Sequence, residues 1–156
     1  MSVRLPPNRL LLLDTNVLVH LLRAREAGQQ LDAALGLRER RERPLLSTIV
    51  EAETRQFATR RKWGEDRQQR LRALLANLVP VSAGLPQVID NWIEIATAQE
   101  DAGRKIGEND LWIATRVRAA GAILVTCDGD FLKLVPGLVA VCHIETTPFA
   151  VTLHGV

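Results

Sequence analysis

Apolar and polar positions alternate between two periods along this chain. "LLLL" (10–13) is an unbroken apolar run, as in a strand buried on both faces. After Asp14, Thr15 and Asn16 the spacing becomes helical, to about Ala24. Gly28 is expected to break that segment, with a second helix through "QQLDAALGLRERRE" (29–42), which Pro44 ends. "LLS" (45–47) reads as a second strand. Ser47 or Thr48 can cap the helix "IVEAETRQFATRRKW", and Gly64 can terminate it. "EDRQQRLRALLANL" predicts a further helix, and "LVPVS" (78–82) a strand that Pro80 places at an edge. Two more helices follow, "PQVIDNWIEIATAQEDAG" and "ENDLWIATRVRAAG". "AILVT" (122–126) and "LVAVC" (138–142) complete about five strands. Strands separated by helices predict a single α/β domain, with a mainly parallel central sheet flanked by helices.

In such sheets ligands bind beyond the carboxyl ends of the strands, at the topological switch point. Asp14 stands just beyond the first strand. Asp128 follows "AILVTC", and Asp130 comes two residues later. Glu51 and Glu53 lie in the first turns after the second strand. Asp110 lies in the first turn of the helix that leads into "AILVT". Each could be a cap, a favourable charge at a helix start or a turn residue. Together they would crowd one sheet edge and resist ionisation unless a divalent cation were bound. Oxygen donors without His or Cys point to Mg²⁺ or Mn²⁺, which serve phosphoryl chemistry by activating water.

Composition changes this picture little. The 156 residues are 47% hydrophobic and 24% charged. No apolar run reaches the roughly 18 residues of a membrane helix, so no membrane partner is expected. Arg4 and Arg9 before the leucines hint at a signal peptide. Asp14 and Asn16 interrupt that region, and the cytoplasm is the expected compartment. Cys127 and Cys142 form neither a disulfide framework nor a zinc spacing. His20, His143 and His154 form no spaced pair. Cys127 has no base nearby in sequence and reads as a packing residue.

The net charge of +2 is unevenly spread, at +6 for residues 1–83 and −4 for 84–156. Arg55, Arg60, Arg61, Lys62, Arg67, Arg70 and Arg72 lie close together, against Glu65 and Asp66. Beside a metal site for phosphoryl chemistry such a helical pair would track an RNA backbone, with Arg55, Arg60, Arg61 and Lys62 as the expected contacts. "RERRER" (38–43) mixes signs and reads as plain helix surface. With no Tyr and three Phe, a base-stacking platform is not expected. Trp63, Trp92 and Trp112 are expected in the core.

The chain resembles PIN-domain ribonucleases, of the kind found as toxins in VapBC toxin–antitoxin pairs. The resemblance spans about Leu10 to Val141. It rests on "LLLDTNVLVHLL", on "LLSTIVEAET" and, most specifically, on "GENDLWIATRVRAAGAILVTCDGDF". It implies an N-terminal extension (1–9), a PIN nuclease domain (10–142) and a C-terminal tail (143–156) packed on or trailing the domain. Asp14, Glu53, Asp110 and Asp128 would be the catalytic, metal-binding acids, with Asp130 contributing. Asn16, Ser47 and Thr126 would support them. "EAET" departs from the family's more usual "AEL". Glu53 is preferred over Glu51 for its spacing from Ser47, because helical residues two apart face different ways. The implied protein is an Mg²⁺- or Mn²⁺-dependent endoribonuclease toxin, a homodimer restrained by a small antitoxin.

Other classes fit less well. A PIN nuclease of RNA maturation, outside any toxin system, would share the chemistry. A receiver-like signalling domain needs an acidic pair at the first strand and a lysine after a late one. A phosphatase or phosphotransferase with an aspartate nucleophile would want an acid where Asn16 stands. A dinucleotide-binding domain needs a glycine-rich turn after the first strand.

Overall fold

The computed structural model describes residues 5–82, 84 and 86–156. Residues 1–4 of the expected extension, including Arg4, lie outside the described residues. The strands are β1 (Leu11–Leu13), β2 (Leu45–Leu46), β3 (Val79–Pro80), β4 (Ile123–Thr126), β5 (Ala140–Thr146) and β6 (Phe149–His154). The helices are α1 (Thr15–Arg23), α2 (Glu26–Leu35), α3 (Thr48–Arg60), α4 (Glu65–Ala76), α5 (Pro86–Asp101) and α6 (Glu108–Ala119). The sheet runs β3-β2-β1-β4-β5-β6, parallel throughout except for the antiparallel β5–β6 pair.

β1 and β4 sit at the centre, with Leu12 opposite Leu45 on one side and Leu124 on the other. Every residue of both strands is buried. Their length and apolarity follow from having neighbours on both edges and helices on both faces. β1 is also where the order of strands reverses, so the β1/β4 crevice is the switch point. The backbone N–H of Asp14 donates to the Val125 carbonyl at 3.0 Å, carrying the β1–β4 ladder one residue past β1.

Three local expectations are corrected. Gly28 does not break a helix but lies inside α2. There a Cβ would stand 2.2 Å from the His20 carbonyl oxygen, so glycine is what lets α2 approach α1. α1 ends where expected, at Arg23, capped by Ala24 with a left-handed φ of 48°. α2 stops at Leu35 rather than near Pro44, because Gly36 caps it at φ 57° with its N–H on the Asp32 carbonyl. Gly64 is the N-cap of α4, and α3 has already ended at Arg60.

A sixth strand, β6, pairs with β5 over Thr146–Phe149 through Val141–His154. Its residues alternate between half-buried and exposed, as at a sheet edge with one wet face. Before β1, Leu5 is buried in the core, and the Arg40 guanidinium donates to the carbonyls of Pro6 (2.8 Å) and Arg9. No helix among the described residues is long and apolar enough to cross a membrane.

Candidate active site

Asp14 stands between the last residue of β1 and the first of α1. Its extended backbone caps the helix, and its Oδ1 accepts the Thr15 N–H at 2.8 Å. Its Oδ2 accepts the Thr126 hydroxyl at 2.6 Å and the Asn16 amide at 3.4 Å. Those donors favour the carboxylate. Burial to 5% exposure outweighs them and, with Asp128 nearby, raises its pKa.

Thr126 and Asn16 tie this acid to the end of β4. The Thr126 Oγ1 also accepts the Asp128 N–H at 2.9 Å. The Asn16 Oδ1 accepts the Cys127 N–H at 3.0 Å. Asp128 then caps a short 3-10 helix, Gly129–Lys133, its Oδ1 accepting the Asp130 N–H at 2.9 Å. Ser47 is fully buried and caps α3, its Oγ accepting the Ile49 N–H at 3.1 Å. It fixes the start of the helix that carries Glu53.

Asp14, Glu53, Asp110 and Asp128 line one open cleft of about 410 Å³. Glu53 Oε1 accepts the Thr15 hydroxyl at 3.2 Å. Glu51 instead pairs with Arg55 at 3.3 Å on the exposed face of α3 and does not line the cleft. Asp130 lies at the exposed margin. Carboxylate oxygens of Asp110, Asp128 and Asp130 lie within 4.8 Å of one another, and Lys133 donates to Asp130.

The electrostatics register this crowding. Asp110 is raised to about 6, first by burial and then by Asp128, Asp14, Glu53 and Asp130. Glu53 is raised by burial and by Asp14. Asp14, Glu53 and Asp110 thus each resist carrying charge beside neighbouring acids, which is the condition a bound cation relieves. An all-oxygen donor set suits a hard divalent ion, so the residues present fit one. Cys127 is pushed up to about 11 by burial and Asp14, which keeps its thiol protonated and unsuited to nucleophilic attack.

The basic residues divide. Arg61 lines the cleft, its guanidinium 5.1 Å from the centroid of the Phe57 ring. Arg60 and Lys62 are exposed beyond it, and Arg55 is engaged by Glu51. Several residues of the cleft carry no signal in a linear reading. Thr15 occupies an ordinary first helical position, and His20, Arg23 and Phe57 follow a helical period. The helix register that Asp14 sets in α1 turns the first three inward, and the register that Ser47 sets in α3 turns Phe57. Trp63 is half-buried against Phe57 (5.8 Å, edge to face) rather than in the core. Trp92 and Trp112 are half-buried too, 5.6 Å apart between α5 and α6.

The order β3-β2-β1-β4-β5-β6 is not the 2-1-3-4-5 order of flavodoxin-like folds such as the receivers, and that alternative is set aside. A family model described as PIN domain matches residues 11–135. The comparison with curated proteins gives no match. Among solved structures, VapBC2 from Rickettsia felis, bound to a DNA fragment from their promoter, is similar at 24% identity and a TM-score of 0.70, over 87% of this chain and 99% of that one. VapBC-1 from nontypeable Haemophilus influenzae is similar at 25% identity and 0.59, over 80% and 91%. VapBC-5 from Mycobacterium tuberculosis, a member of the VapBC family of toxin–antitoxin systems, is similar at 23% and 0.61, over 85% and 97%. The likeness lies in the fold.

Proposed function

This chain belongs to the PIN domain family, and from that premise we propose that it is a divalent-metal-dependent endoribonuclease acting as the toxin of a toxin–antitoxin pair. The observation that carries the reading is the convergence of Asp14, Glu53, Asp110 and Asp128 in one cleft at the switch point of the sheet. These four, with Asp130 at the margin, would hold Mg²⁺ or Mn²⁺. When bound, the ion supplies activation of water and charge stabilisation for in-line displacement at phosphorus.

The chain's own residues do the rest. Thr126 and Asn16 hold the Asp14 carboxylate, and Thr15 holds Glu53. Arg55, Arg60, Arg61 and Lys62 attract the RNA backbone, with Arg61 at the cleft itself. The partner reading is a small antitoxin. A groove of about 490 Å³ lined by Leu21, Leu37, Leu74 and Leu78 supports it, offering apolar purchase to a partner segment. Exposed Ile89 and Ile93 on α5 support a homodimer.

Expression of the wild-type chain alone should arrest growth, and Asp14→Asn should not. Co-expression with the antitoxin should restore growth and give a co-purifying complex. Harmless expression of folded wild type would remove the toxin role. RNA left intact by the purified chain with Mg²⁺ and with Mn²⁺ would remove the nuclease.

A further inference from the structure

Beside the acid cleft lies a second cavity of about 370 Å³, lined chiefly by Arg23, Arg25, Arg61, Arg67, Arg70 and Trp63. Arg23 and Arg61 border both cavities, so the two open onto one another's rim. Their guanidiniums approach the Phe57 ring at 5.8 and 5.1 Å, and Phe57 in turn packs at right angles to Trp63. The basic groups come from the end of α1, the residue that caps α2, the α3–α4 turn and α4.

Among the described residues none of these five arginines has an ion-pair partner. The side-chain pairs join Arg55 to Glu51, Arg72 to Glu65, Arg118 to Glu94 and Lys133 to Asp130. Five like charges around one cavity repel each other, and an anion between them reverses the sign of that energy. Guanidiniums are the groups best matched to phosphate, which they grip with paired N–H donors. The acid cleft repels a phosphate unless a cation intervenes, whereas the charge of this cavity attracts one.

We propose that the arginine cavity is a substrate subsite, which holds a phosphodiester of single-stranded RNA neighbouring the one at the acid cleft. A strand leaving the cleft past Arg23 and Arg61 enters it directly. Trp63 offers the adjacent unpaired base a ring to stack on. The subsite deepens the nuclease reading and rests on it. It shares only Arg61 with the basic residues named from sequence, and it recruits Arg23 and Arg25 from outside the charged stretch 55–72.

The test is equilibrium binding of a short single-stranded RNA in excess EDTA, where no cleavage occurs, across a salt series. Arg67→Gln/Arg70→Gln lies outside the acid cleft, and Arg41→Gln/Lys105→Gln removes the same charge at exposed positions that line neither cavity. The first pair should bind about tenfold more weakly. Its log–log salt slope should shrink by about 0.7 for each phosphate no longer neutralised. The control pair should bind as wild type, and thermal unfolding should match in all three. Trp63→Leu should weaken binding without altering the slope. Equal binding by the two charge-removed pairs would overturn the subsite. So would RNA binding unaffected in Arg67→Gln/Arg70→Gln while binding of polyglutamate is lost, which would assign the cavity to an acidic protein. Because the assay contains no metal, its failure leaves metal-dependent cleavage standing, and absent cleavage with binding intact would overturn the substrate role while leaving RNA binding at the cavity.

Discussion

The Thr126 hydroxyl donates to Asp14 Oδ2 at 2.6 Å, across 112 positions of sequence. That bond joins the ends of the two central parallel strands at the point where the order of strands reverses. The same oxygen accepts the Asp128 N–H, so one buried threonine sets two acids of the cleft.

Thr126→Val should therefore cost more than its shape change suggests. It leaves a buried carboxylate short of its closest donor, a loss of about 1–3 kcal/mol. Metal affinity and cleavage should fall about 10–100-fold, as for other residues that orient a ligand. Thr126→Ser keeps the hydroxyl and should retain most of both. Calorimetric metal titration alongside cleavage rates separates the two variants, and equal behaviour would deny the hydroxyl its role.

Glu53 and Glu51 should part ways. Glu53 faces the cleft through Thr15, and Glu51 faces Arg55 on the surface. Glu53→Gln should lose at least about tenfold in cleavage rate, and Glu51→Gln should stay near wild type. A larger loss in the Glu51 variant would reverse the assignment.

The metal-free protein should lose stability as pH rises past the cluster. Asp110 is raised from 3.8 to about 6, so between those values the folded state holds a proton that the unfolded chain has released. Its contribution to stability is fully present below the unfolded value and is lost as pH climbs through about 6. Thermal unfolding in EDTA should show Asp110→Asn gaining on wild type over that window, with the difference level above it. Added Mg²⁺ should close the gap by stabilising wild type alone. A difference independent of pH would mean that Asp110 carries no such strain.

Cys127 should be chemically quiet. With its thiol raised to about 11, alkylation at neutral pH should be slow, and Cys127→Ala should cleave RNA at close to the wild-type rate. Rapid labelling that abolishes activity would require a different chemistry.

Much of this site was readable because the sheet centre leaves so little choice. A carboxylate directly after four leucines has no place in a core, so Asp14 had to stand at a strand end. Asp128 after "AILVTC" followed by the same logic, and Asp110 through the helix that feeds β4. What could not be read is what depends on elements far apart in sequence. Arg23, Arg61, Arg67 and Arg70 share a cavity only because the end of α1 lies against the α3–α4 turn. Gly28 looked like a breaker because its close neighbour, the His20 carbonyl, belongs to another helix. β6 escaped notice although Phe149, Val151 and Leu153 alternate with exposed Ala150, Thr152 and His154, because a proline stands just before so short a run.

The most direct test of the account is cleavage of single-stranded RNA by the purified chain, first in excess EDTA and then with Mg²⁺ or Mn²⁺ restored. Cleavage should be absent in the chelator and return with either ion in wild type, and stay absent in Asp14→Asn with the fold intact. Full cleavage in EDTA, or undiminished cleavage by Asp14→Asn, would contradict the claim that these acids act together through a metal.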